Sequence, residues 1–257
     1  MLQEEGLNRL LCNRSSILTT KMWTWKKIGK SLQELLFPRL CTVCNRRLYD
    51  SEEYLCVHCL LRLPRTGFHL KKGNKCEQLF YGRIKPLGKA SSYFFYNNES
   101  PFKKLIWDLK YHGQPEIGRF LGRMIAKDLA RGEASFFKGI DLIVPVPLAK
   151  EKLKSRGYNQ CDFIAMGVAE ITGIPIHRNC IVRTVANESQ THKTRLERQD
   201  NVEGIFELQT EEDLKGKHVL LIDDVLTTGA TLIACASTLK DIEHIRISFL
   251  TMACGQI

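Results

Sequence analysis

The chain has 257 residues, 44% of them hydrophobic, which is enough to bury a full core and leave room for a small second module. No apolar run approaches the eighteen or so residues of a membrane span, and the start lacks the apolar core of a signal peptide. Ten cysteines without export features point to metal binding or buried thiols rather than a disulfide framework, and the expected location is the cytoplasm. The net charge of +10 is uneven: residues 1–89 hold 17 Lys and Arg against 7 Asp and Glu, and the remainder is neutral. A basic first third suits a polyanion such as single-stranded DNA, with a solvated basic surface as the plainer reading.

Residues 1–30 read as a poorly ordered extension, with Met22 as a competing start. Ile28, Leu32, Leu35 and Leu36 recur at helical spacing until Pro38 stops the run. Cys41-Thr-Val-Cys44 and Cys56-Val-His-Cys59 follow. Each C-x-x-C turn aims two thiolates at one point, so the four cysteines predict a tetrahedral Zn²⁺ site within a ribbon over residues 31–70. The segment is too short for a core of its own, so the metal would supply its folding energy. His58 offers a Cys₃His alternative. The other six cysteines read as isolated thiols.

Residues 60–89, basic and broken by Pro64, Gly67, Gly73, Gly82 and Pro86, read as irregular structure. Ser91–Tyr96 has strand character, and Pro101 opens a helix closed by Gly113. His112 reads as a helix-end side chain favouring the dipole. A second helix covers 116–131. Strands and helices then alternate: strand 140–146, helix 158–172, strand 181–185, strand 204–208, strand 219–222, helix 232–240 and strand 245–252. This alternation predicts an α/β fold with a mostly parallel sheet flanked by helices over 71–257.

Val219–Ile222 is an unbroken apolar run, as in a strand buried on both faces. Asp223 and Asp224 follow where that strand is expected to end, and Thr227, Thr228, Gly229, Ala230 and Thr231 form a small hydroxyl-rich turn into a helix. Glycine lets a backbone approach a ligand, and free N–H groups at a helix start suit a phosphate. One stretch thus offers acceptors for sugar hydroxyls and donors for a phosphate. Paired aspartates alone would read as an ordinary strand end or an ATPase strand, but no G-x-x-x-x-G-K-[ST] loop accompanies them.

IDDVLTTGAT resembles the phosphoribosyl-diphosphate (PRPP) signature of type I phosphoribosyltransferases. The resemblance implies that Asp223 and Asp224 hold ribose hydroxyls, with Mg²⁺ on them and on the pyrophosphate, and that Thr227–Thr231 wrap the 5′-phosphate. It also implies that the loop after Val144-Pro145-Val146-Pro147 cradles pyrophosphate, with Arg156 as its cation. The polar segment 184–206 matches the loop that closes over PRPP, where Lys193, Arg195 and Arg198 neutralise the leaving group; His192 reads as a solvent-facing side chain. The four cysteines, VPVP with RGYNQ, QTHKTRLERQDNVEGIF and IDDVLTTGAT, in that order over residues 30–255, resemble the ComF family, with which GntX proteins share the pattern. That resemblance implies a phosphoribosyltransferase-like protein linked to DNA uptake in competent bacteria, either an enzyme or a non-catalytic factor binding a nucleotide or a DNA 5′-phosphate. A helicase-like partner is compatible with it.

Overall fold

The computed structural model describes residues 37–131, 135–184 and 204–255. The described residues divide into two compact units, the first ending at Val57 and the second beginning at His58.

In the first unit, the backbone is pinned by a few polar contacts. Glu52 accepts from the N–H groups of Tyr49 (2.8 Å) and Val57 (2.7 Å), which hold its carboxyl below the usual range. Arg39 donates to the carbonyls of Glu52 and Tyr49, both at 3.1 Å. The second Cys-x-x-Cys runs into a short helix, α1 (Val57–Leu61).

The second unit contains a four-stranded parallel sheet in the order β1-β6-β5-β2: β1 (Leu87–Phe95), β6 (Arg246–Cys254), β5 (His218–Leu226) and β2 (Leu142–Pro145). In β5, Val219, Leu220, Leu221 and Ile222 are all fully buried, and each contributes about 2 kcal/mol by burial. One face of the sheet packs with α2 (Lys75–Phe80) and α7 (Ala230–Ser237), where Phe80 stacks on Phe249 with centroids 4.1 Å apart. α4 (Glu116–Leu129) and α6 (Gln160–Thr172) cross closely. A Cβ on Gly122 would lie 2.2 Å from the Ile164 carbonyl oxygen, and one on Gly167 would lie 2.1 Å from that of Arg119. Only hydrogen fits at this crossing.

Three expectations need correction. Residues 60–89 are not irregular throughout: α2 lies inside them, capped by Asn74, whose side chain accepts from Glu77 N at 3.1 Å, and β1 starts at Leu87. The strands β3 (Ile181–Arg183) and β4 (Phe206–Leu208) do not join the parallel sheet but form a separate antiparallel pair. Residues 150–172 make two helices, α5 (Lys150–Arg156) and α6, because Gly157, with φ +82°, turns the chain between them. No helix among the described residues is long and apolar enough to cross a membrane.

Candidate functional site

Sheet geometry places the two aspartates. The edge strand β2 stops at Pro145, opposite Ile222, while β5 continues to Leu226 against β6. Proline is tolerated there because β2 is an edge. Asp223 and Asp224 therefore do not follow the strand's end. They sit inside β5, past the end of β2, where one flank is open. Successive strand residues face opposite sides, so the pair diverges from a single backbone position.

Asp224 is 5% exposed and both its oxygens are engaged. Oδ1 pairs with Lys110 Nζ at 2.9 Å, and Oδ2 accepts from Gln160 Nε2 at 2.7 Å. Lys110 lies on α3 (Lys103–Tyr111), and Gln160 opens α6. Burial alone would lower the Lys110 pKa, but Asp224 and then Asp223 outweigh it and hold the ammonium above its usual range. Asp223 Oδ1 accepts from Asp224 N (2.8 Å) and from the Cys161 thiol (3.4 Å). Desolvation and the neighbouring Asp224 charge push the Asp223 carboxyl up to about 7. Burial and the two carboxylates raise the Cys161 thiol well above its ordinary value, so it stays protonated and donates.

These groups line an open cleft of about 680 Å³ together with Lys152, Arg156, Arg183, Thr227 and Thr231. Gly229 is in the left-handed region at φ +77° as the N-cap of α7, and Thr228 Oγ1 accepts from Ala230 N at 3.4 Å. The first turn of α7 leaves N–H groups without intrahelical partners beside the exposed Thr227, Thr228 and Thr231. Phe80 supports the turn from behind, since a Cβ at Gly229 would lie 3.3 Å from its ring. Such a turn can hold a phosphate. Also lining the cleft, Trp107 (52% exposed) and Tyr111 (65% exposed) pair edge-on with centroids 5.5 Å apart, and the Arg156 guanidinium lies over the Tyr111 ring at 5.6 Å.

The structure thus brings Asp223, Asp224, Thr227, Thr231 and Arg156 into one cleft, with Thr228, Gly229 and Ala230 completing its turn. Lys193, Arg195, Arg198 and His192 lie outside the described residues. His112 bonds Asp108 Oδ1 at 2.6 Å. Sequence reasoning missed Lys110, Gln160 and the cleft aromatics, and took Cys161 for an isolated thiol. Lys110 sat unmarked within a helix whose pattern already explained it.

For the magnesium expected from the resemblance, the protein itself offers few uncommitted donors. Cys161 Sγ and the carboxylate oxygens of Asp223 and Asp224 lie within 4.8 Å of one another, a spacing that would serve a cation. However, the Asp224 oxygens are taken by Lys110 and Gln160, the Cys161 thiol keeps its proton, and Asp223 has one oxygen committed.

The Cys41, Cys44, Cys56 and Cys59 sulfurs also lie within 4.8 Å of one another, and this donor set does fit a structural metal. Cys44 and Cys56 Sγ are 3.6 Å apart, against about 3.8 Å for thiolates at tetrahedral corners around zinc. Burial raises the Cys41 thiol, but backbone N–H groups of Cys56, Cys44 and Val43 outweigh it and bring it down to about 7. His58 is exposed and not part of the group.

Residues 167–253 match the phosphoribosyl transferase domain family. The chain is 28% identical over 201 residues to the DNA utilization protein YhgH of Escherichia coli (strain K12), covering 78% of this chain and 83% of that one. It is 30% identical over 220 residues to Competence protein F of Haemophilus influenzae, covering 83% and 90%. It is 27% identical over 234 residues to Competence protein ComFC of Bacillus subtilis, covering 88% and 87%. With its four-cysteine cluster, its parallel sheet and a phosphoribosyltransferase domain ending on β6, the chain belongs to the ComF/YhgH family.

Proposed function

We propose that the cleft binds PRPP, or a compound with the same 5-phosphoribosyl group, in the service of DNA uptake or use. One observation carries this reading: a carboxylate pair fixed within β5 and the threonines Thr227 and Thr231 of the glycine turn line one cleft. The ribose hydroxyls would be read by Asp223, whose Oδ2 takes no hydrogen bond from the described residues, and by the edge of the Asp224 pair. The 5′-phosphate would sit on Thr227–Thr231. As a transferase the chain would break the bond at ribose C1′ through an oxocarbenium-like state, with Arg156, Lys152 and the sequence candidates Lys193 and Arg195 stabilising the departing pyrophosphate. The four cysteines would hold one structural Zn²⁺ in a ribbon over residues 31–70. Calorimetry with PRPP tests the binding, and pyrophosphate release with a panel of nucleobases tests the transfer. Unchanged PRPP affinity in Asp223→Asn would overturn the site.

The exposed Trp107 and Tyr111 favour a second reading, in which the ligand is a nucleotide or the 5′ end of a strand and no transfer occurs. Bases stack on such rings at roughly 1–3 kcal/mol each. Nucleotide binding without pyrophosphate release would select it. Single-stranded DNA would then meet the basic residues of the first third, such as Arg46, Arg47, Arg62, Arg65, Lys71 and Lys72, and binding would fall steeply with salt. Deleting up to residue 90 is not a clean test, since it removes α2 and the start of β1. Replacing Arg46, Arg47, Lys71 and Lys72 by Gln is better, and an unaltered salt slope would remove DNA from these residues.

A further inference from the structure

A phosphorylated sugar carries its own negative charge, and a site can meet that charge with a divalent metal or with fixed side chains. Here the cleft is lined by four cations, Lys110, Lys152, Arg156 and Arg183, against two carboxylates. Lys110 is anchored at 2.9 Å to a carboxylate whose other oxygen is held at 2.7 Å by Gln160. Gln160 is in turn held by Arg156, whose guanidinium donates to Gln160 Oε1. The Tyr158 hydroxyl donates to the Leu109 carbonyl, joining the chain just before α6 to α3 and setting Lys110 in register. Charge and donor geometry agree: an ammonium takes the Asp224 oxygen that a metal would share, and among the described residues only Asp223 Oδ2 is left uncommitted in the carboxylate pair.

We propose that this cleft takes its 5-phosphoribosyl ligand as the metal-free anion, with Lys110 as the fixed cation in place of a divalent metal. The inference rests on the phosphoribosyl reading above. Lys110 is a positioning residue: it holds Asp224 oriented for a ribose hydroxyl, and its charge lines the cleft. A metal arriving with PRPP would meet a wall of net positive charge and gain little.

The test uses full-length, zinc-loaded protein in buffer freed of free metal by a chelating resin, with bound zinc monitored throughout. Calorimetry with ribose 5-phosphate and with PRPP, without and with added Mg²⁺, is expected to give affinities within about threefold of each other. Lys110→Gln is expected to weaken metal-free binding by about tenfold or more, and added Mg²⁺ to restore part of it, because Asp224 then has a free oxygen. Lys110→Arg keeps the charge and should keep the metal independence. A merely structural role for Lys110 would change stability without creating a Mg²⁺ dependence. If the wild type binds PRPP only with Mg²⁺, the inference is overturned while the phosphoribosyl reading stands. If it binds neither ligand in either buffer, both fall. The wild-type comparison decides the matter even if Lys110→Gln does not fold.

Discussion

The four-cysteine module and the carboxylate cleft solve opposite problems. Around the cysteines there is little apolar material: Leu48 and Leu55 are buried, and the rest of the order comes from Glu52, Arg39 and the sulfur cluster. Around Asp223 and Asp224 the sheet and its helices form a large core, and the carboxylates are already fixed by Lys110, Gln160, Cys161 and a backbone N–H. One region offers a donor set for a metal and little core besides. The other is shaped before a ligand arrives, which keeps the ordering cost out of binding.

The largest test of that contrast is Ser at any of Cys41, Cys44, Cys56 or Cys59. Structural zinc contributes on the order of 10 kcal/mol to modules of this kind. Hydrogen exchange should show loss of protection over 39–57 with the sheet intact, and metal analysis should show the zinc gone. Full protection in the metal-free variant would mean that the module stands on its own packing.

Next in size is Asp224→Asn, which leaves the Lys110 ammonium half-buried without its partner. It should cost about 3 kcal/mol or more by denaturant unfolding. Mutual repulsion of the aspartates would have argued that removing them stabilises the protein, and the ion pair reverses that argument for Asp224. Gly122→Ala tests the scaffold rather than the site. Its Cβ meets a carbonyl oxygen at 2.2 Å, so α4 and α6 must separate, at about 2–3 kcal/mol.

Gly229→Val should cost about 2 kcal/mol, from the left-handed backbone and from contact with Phe80, and should abolish phosphate binding at the turn. The last effect is read per pH unit, as a slope. A carboxyl whose pKa rises from its unfolded value to about 7 on folding binds more protons when folded, so its stabilisation is full below pH 4 and is lost as pH rises towards 7. Asp223→Asn should flatten the wild-type decline over that window by about 1 kcal/mol per pH unit. Identical pH profiles would show that the Asp223 carboxyl is not crowded.

The contrast also explains what could be read from the chain alone. The Cys-x-x-Cys pairs and the 218–231 stretch are local, with motif and function in one short window. Lys110 and Gln160 are not local: Gln160 reaches Asp224 across 64 residues, and no periodicity marks that pairing. Helix α2 had a readable start, Asn74 followed by Glu77 three residues on, but Gly73 and Gly82 on either side hid it. The antiparallel pairing of β3 with β4 was unreadable because three-residue strands carry too little alternation to show a partner.

The sheet order has a consequence for how the protein is made. β6, the last strand, fills the slot between β1 and β5, so β1 waits for a partner about 160 residues downstream. A chain emerging from the ribosome therefore carries a strand without its sheet partner, held only by the short pairing of residues 64–66 with Tyr93–Phe95, until residue 254 is free. Contacts this distant make for slow folding and a long period of exposure to aggregation. Nascent chains stalled before Arg246 should be rapidly proteolysed and bound by chaperones, whereas those stalled on an appended linker long enough to clear Cys254 from the ribosome should become resistant.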